Sequence, residues 1–144
     1  MADPIWKFEC AVECEAPREL AWKYWTNPDN WDDPPARFEF DGPFVVGTRI
    51  KTLLPGQTLE SLIQAVESGR EATIQLAYGE ARISFAWRFE GVTAARTRIS
   101  QRIELAGTSD KALVEQAKVF EKTAPAGMRK LKQRIESDWN KAGT

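Results

Sequence analysis

The chain has 144 residues, 42% of them hydrophobic and 28% charged, with a formal net charge of −1 and no histidine. That balance suits one globular domain with a real core and excludes a disordered chain. No basic run exceeds Arg129-Lys130 and no apolar stretch approaches the ~20 residues that span a bilayer, so neither a nucleic-acid footprint nor a membrane span is expected.

The chain opens with a change of period. Trp6, Phe8, Cys10, Val12 and Cys14 alternate with Lys7, Glu9, Ala11 and Glu13, the pattern of a half-buried strand. At ~3.3 Å per residue the two cysteines lie roughly 13 Å apart on one face, too far for a disulfide, and are expected as buried thiols. Ala16-Pro17 breaks the pattern, and Leu20, Ala21, Tyr24 and Trp25 take up the spacing of a short helix face. Asn27-Pro28 restarts a second short helix carrying Trp31, which Pro34-Pro35 stops.

The middle reads as strand after strand. Phe38 and Phe40 form a short one ending at Gly42-Pro43, residues 47–54 another before the Pro55-Gly56 turn, and residues 58–67 a third that turns at Ser68-Gly69-Arg70 into residues 72–78. Ile83, Phe85, Trp87 and Phe89 share one face of the next strand, opposite Arg82, Ser84, Arg88 and Glu90. Thr97, Ile99, Gln101, Ile103 and Leu105 share a face of the last, opposite Arg96, Arg98, Ser100, Arg102 and Glu104. The charged face is expected to be solvated and laced by cross-strand pairs rather than to receive an acidic partner.

From Thr108 to Trp139, Leu113, Ala117, Phe120, Ala124, Met128, Leu131, Ile135 and Trp139 step by three or four as a continuous apolar stripe. Thr108 or Ser109 is the expected N-cap, with a kink or break at Pro125 and Gly127. The fold class is therefore α+β: a curved seven-stranded antiparallel sheet around a long C-terminal helix, with two short helices between the first two strands.

The segments Ala16-Pro17-Arg18-Glu19, Trp22, Trp25 and Asn27-Pro28-Asp29-Asn30-Trp31 resemble the start of the SRPBCC superfamily. These are the START-like, birch-pollen-allergen-like helix-grip proteins, and the resemblance is to their polyketide cyclase/dehydrase-like members. Gly42-Pro43, Gly47-Thr48 and the late Gly127-Met128 with Leu131-Lys132 extend it over essentially the whole chain. It implies a single helix-grip domain over residues 1–144, with a hydrophobic cavity between sheet and helix.

Phe85, Trp87, Ile99, Gln101, Ile103 and Phe120 point into that space in this register, with Trp25, Trp31 and Met128 near its mouth. Each aromatic can equally be plain core packing. The Gln101 amide either hydrogen-bonds a buried backbone group or water, or orients a ligand's polar end, and Thr52 carries the same choice. Asp32-Asp33 are read as capping or turn groups. Without histidine, acid or base work would fall to a desolvated carboxylate such as an inward Glu60, to Tyr24 or Tyr78, or to a bound water.

The leading expectation is binding or transport of a hydrophobic or amphipathic small molecule, with no cofactor and no metal. The alternatives are a cyclase or dehydratase acting on an aromatic or polyketide-like substrate, and a protein-interaction domain of the chaperone-activator type. A monomer or weak homodimer is expected. The start MADPIWKFEC lacks a basic segment ahead of an apolar one, so it is not read as a signal peptide and the cytoplasm is the default location.

Overall fold

A computed structural model describes residues 3–142. Strand β1 (Trp6–Cys14) leads into helix α1 (Arg18–Trp25) and a single 3-10 turn (Pro28–Asn30). Six strands follow: β2 (Arg37–Phe40), β3 (Arg49–Leu54), β4 (Gln57–Glu67), β5 (Glu71–Tyr78), β6 (Ala81–Thr93) and β7 (Arg96–Ala106). Helices α2 (Lys111–Ala117) and α3 (Phe120–Ala142) complete the chain.

The seven strands form one antiparallel sheet in the order β1-β7-β6-β5-β4-β3-β2. This is a run of hairpins except that the first strand pairs with the last, Trp6 opposite Leu105 and Cys14 opposite Thr97. Register follows the hydrophobic alternation: Ile83, Phe89, Ile99, Ile103 and Leu105 are buried, while Arg88, Arg98 and Arg102 on the opposite face are exposed. That outer face carries the expected cross-strand pairs, among them Arg102–Glu9 at 3.4 Å and Arg88–Glu71 at 3.8 Å. Each adds little in water. At the end of β7, Gly107 adopts φ +83°, and a Cβ there would sit 3.2 Å from the Glu80 carbonyl oxygen, so the turn into α2 requires glycine.

The register of β4 resolves the ambiguity left by Leu62-Ile63. Ile63 is buried and pairs with Ile74, and a bulge after it lets Val66 return inward opposite Ala72. Alternation from Ile63 then turns Leu59 and Ser61 inward and Glu60 outward, opposite Lys51. Glu60 is therefore not an inward carboxylate, and Leu62 is 39% exposed.

Helix α3 runs beside β1 in the same direction and is clasped to it at both ends. The Trp6 indole N–H donates to Glu121 Oε2 at 3.1 Å, and the Glu15 amide N–H donates to Glu136 Oε2 at 2.8 Å. Lys132 Nζ donates to the same Glu136 oxygen at 2.7 Å. The helical stripe breaks at Lys118-Val119 rather than at Pro125, which α3 contains without interruption. Pro125 falls in the second turn, where its missing N–H forfeits one bond, to the Glu121 carbonyl, near a helix end that is already short of partners. Asp110, not Thr108 or Ser109, caps α2, its carboxylate accepting from the Ala112 amide at 2.9 Å; the Thr108 hydroxyl instead accepts from the Asp110 amide. The helix after Asn27 is likewise shorter than its sequence signals imply: it ends at Asn30, and Trp31 follows it in extended backbone.

Two apolar clusters fill the interior. One joins α1, α3 and the ends of β3 to β7 around Trp25, Ile63, Phe89, Ile99 and Ile135; the other joins Trp6, Leu76, Ile83, Ile103 and Leu105 to α2. Cys14 is fully buried, and burial pushes its thiol up to about 11. Cys10 is only half-buried, and both thiols are free.

Two outcomes are expected. Phe89 is 1% exposed and lies 5.3 Å from Trp22 and 5.4 Å from Trp25 between ring centroids. Phe89→Ala should cost about 3–5 kcal/mol in urea unfolding. Burial alone would raise the Glu136 carboxyl, but the Lys132 ammonium and the Glu15 amide hold it below its ordinary value. A depressed carboxylate stabilises the fold above its unfolded value, and that contribution is lost as pH falls through the folded one. Wild type should therefore lose stability more steeply than Glu136→Gln as pH falls below 4.5, the ordinary value of this carboxyl. Urea midpoints measured across that window check it.

Candidate functional site

The site is built around Trp25. Helix α1 presents this ring to the sheet, where it is 4% exposed and touches five others. Its centroid lies 4.9 Å from Phe44, 5.0 Å from Trp87, 5.4 Å from Phe89, 5.7 Å from Trp22 and 5.9 Å from Trp31. Trp31 is fixed by its own indole N–H, which donates to the Trp25 carbonyl at 2.6 Å, and its ring meets Phe38 and Phe40 in T-shaped contacts at 5.5 and 5.0 Å. Such tilted and edge-to-face pairs each add about 0.5–1.5 kcal/mol beyond area burial.

Between this cluster and α3 lies a cleft of about 180 Å³. Trp25, Trp31, Phe38, Trp87, Gly127 and Leu131 form its apolar walls; Tyr24, Asn30, Asp32, Asp33, Lys130 and Arg134 form its rim. Gly127 makes the opening: a Cβ placed on it would meet nothing within 4 Å. The loop after the 3-10 turn is strapped over the mouth. Lys130 Nζ contacts Asp33 Oδ1 at 2.8 Å, Arg134 donates to the Asp32 carbonyl at 2.6 Å, and Asn30 Nδ2 donates to the Tyr24 carbonyl at 2.9 Å. Burial raises the Tyr24 hydroxyl above its ordinary value despite the nearby Arg134, so at neutral pH it stands at the rim as a donor.

Of the residues singled out from sequence, Trp25, Trp31 and Trp87 meet at this cleft. Ile99, Ile103 and Met128 are sealed in the core, 0 or 1% exposed. Phe85 stacks edge-on against Phe120 at 5.4 Å in the second cluster. Thr52 lies half-buried on β3 opposite Phe38 and Leu59, outside the cleft walls. The side chain of Tyr78 lies outside what the structure describes.

Gln101 stands apart. It is 7% exposed on the inner face of β7, with Ile99 and Ile103 on either side along the strand and Cys10 and Trp87 opposite it on the neighbouring strands. Its amide makes no hydrogen bond among the described residues, and its polar atoms remain accessible to water.

Lys130, Arg134, Asn30, Leu131 and Gly127 were not identified as site residues from sequence. Gly127 offered the one usable signal, a glycine in the middle of a helical stripe with no turn to explain it. A larger concavity of about 760 Å³ lies on the outer sheet face, floored by Ala11, Thr73, Ala86 and Ser100 and rimmed by charged side chains. Cys10, Trp87 and Gln101 also line it. Among the described residues no group of His, Cys, Asp or Glu could hold a metal, and no helix is long and apolar enough to cross a membrane.

No family model and no curated protein matches the sequence. Solved structures do match in shape. Norcoclaurine synthase from Thalictrum flavum in complex with dopamine and hydroxybenzaldehyde is 14% identical, aligned over 93% of this chain and 87% of that one, with a TM-score of 0.71. The Zhui aromatase/cyclase from Streptomyces sp. R1128 is 17% identical over 91% and 93%, with a TM-score of 0.74. Ara h 8.0201 is 15% identical over 92% and 98%, with a TM-score of 0.66. All three are helix-grip proteins of the superfamily that the sequence resembles, and the chain has their fold.

Gly127→Ala should raise stability by about 0.5–1 kcal/mol, because it replaces the poorest non-proline helix former without a clash. Urea unfolding of the two proteins checks this.

Proposed function

We propose that the protein binds a small amphipathic aromatic molecule in the cleft between the Trp25 cluster and α3. The observation that carries this reading is the cleft itself: apolar rings on one side, a bare glycine on the other, and polar groups confined to its rim. Small-molecule sites have this composition. Its volume of about 180 Å³ is below that of drug-sized pockets, and an apolar cavity of about 150 Å³ is enough to hold benzene. The ligand, or the part of it that enters, is therefore a single ring, with any larger or charged portion left at the mouth beside Lys130 and Arg134.

The norcoclaurine synthase complex, whose ligands dopamine and hydroxybenzaldehyde are each built on one ring, supports this size class by analogy of fold. Binding is favoured over catalysis because the cleft walls carry no group that exchanges protons near neutrality; Tyr24 stands at the rim with its hydroxyl held neutral. Binding energy would come from burial of the ring against Trp25, Trp31 and Trp87, at roughly 25 cal/mol per Å² of apolar surface.

Native mass spectrometry of freshly purified protein, then tryptophan-quench titration with a panel of one-ring aromatics, tests the reading. Quenching by at least one member is expected, and Gly127→Leu, whose side chain occupies the cleft, should weaken it tenfold or more with the fold retained. No bound molecule and no quench across the panel would sink the proposal.

A further inference from the structure

The charges at the cleft mouth are of two kinds. Lys130 and Asp33 are both exposed and neutralise each other in an ion pair at 2.8 Å. Arg134 and Asp32 do not. Arg134 is half-buried, and it donates to a neutral group, the Asp32 backbone carbonyl, at 2.6 Å. Among the described residues neither the Arg134 guanidinium nor the Asp32 carboxylate takes part in an ion pair, yet both residues line the cleft. A guanidinium carries five N–H donors in a fixed fork that matches a carboxylate, so one bond to a carbonyl leaves most of it unused. Space lies beside it: Tyr24, Asn30, Asp32 and Arg134 also border a second depression, of about 540 Å³, that continues from the mouth along α3.

Resting on the binding reading above, we infer that the guest is a one-ring aromatic amino acid, its ring in the cleft and its carboxylate and ammonium at the mouth on Arg134 and Asp32. The single ring follows from the cleft volume of about 180 Å³. The charged head stays outside, because the walls formed by Trp25, Trp31, Phe38, Trp87 and Leu131 offer no partner to a desolvated ion. A carboxylate alone gains Arg134 but faces Asp32, and an ammonium alone gains Asp32 but faces Arg134. A head with both charges is matched at both, and complementarity of this kind selects among ligands more than it adds raw affinity. The depression beyond adds Asp29, Asp138 and Lys141, so charges of both signs continue there as well. The Tyr24 hydroxyl, kept protonated by burial, supplies the carboxylate with a further donor at the same rim.

Four probes that share one ring separate the claims: phenylalanine, hydrocinnamate, phenethylamine and ethylbenzene, titrated by ligand-observed NMR against wild type, Arg134→Gln and Asp32→Asn. Wild type should bind phenylalanine about fivefold or more tightly than each of the others, the scale of one partly exposed ion pair. Arg134→Gln should weaken phenylalanine and hydrocinnamate but not phenethylamine. Asp32→Asn should weaken phenylalanine and phenethylamine but not hydrocinnamate, and ethylbenzene should bind all three proteins alike. Phenylalanine bound no more tightly than ethylbenzene by wild type overturns the inference and leaves the cleft as a binding site. Loss of ethylbenzene together with phenylalanine in Arg134→Gln overturns it as well, because Arg134 would then act only by holding the strap. If no probe binds wild type, ethylbenzene included, the binding reading fails and the amino-acid inference with it.

Discussion

Trp25 is the contact on which the rest of the structure depends. Helix α1 has only eight residues, too few to hold its shape in water by propensity alone. Its stability comes from tertiary packing: Ala21 and Trp25 are buried, and Trp25 reaches Trp22, Trp31, Phe44, Trp87 and Phe89 at once. The same ring therefore anchors α1, the extended segment after the 3-10 turn, the β2–β3 loop and the middle of β6. Removing it would unlink α1, that segment and the loop from the sheet. The clasp between β1 and α3 does the complementary work on the far edge of the sheet, where Glu136 gathers the Glu15 amide and the Lys132 ammonium on one oxygen.

This arrangement decides where open space remains. The rings of the Trp25 cluster fill the end of the grip, and the space left over lies where the helix offers glycine instead of a side chain. Polarity is sorted by depth along that space. Charges stay at the strapped mouth and rings form the walls. A guest that matches this order has its apolar part inside and its polar part at the mouth.

Much of the fold could be read from the chain because the signals were local. Alternation in β6 and β7 and the chain breaks at Pro55-Gly56 and Ser68-Gly69-Arg70 place the strands where the structure has them. Where two signals conflicted, tertiary context chose between them. Leu62 and Ile63 are equally apolar, and only the pairing of Ile63 with Ile74 fixes which one faces in. Pro125 marks a helix break only if it lies in the interior, and the real break at Lys118-Val119 left it in a tolerant position. The cleft was legible only in part. Trp25, Trp31 and Trp87 show in the hydrophobic pattern, but Lys130 and Arg134 resemble any solvated helix face until the loop carrying Asp32 and Asp33 is laid over them. Gln101 was visible as an anomaly in an apolar row; its lack of a partner was not, since hydrogen bonding belongs to three dimensions.

The crowding of indoles has an optical consequence. Trp22, Trp25, Trp31 and Trp87 lie with neighbouring centroids 5.0 to 5.9 Å apart and mutual tilts of 36 to 52°. At such separations their excited states mix instead of belonging to single residues. The cluster therefore behaves as one chiral chromophore, with a split ultraviolet dichroism band whose shape depends on the relative orientation of its rings. An aromatic guest lying against Trp31 and Trp87 would become another oscillator in that array, and the band would register its orientation as well as its presence.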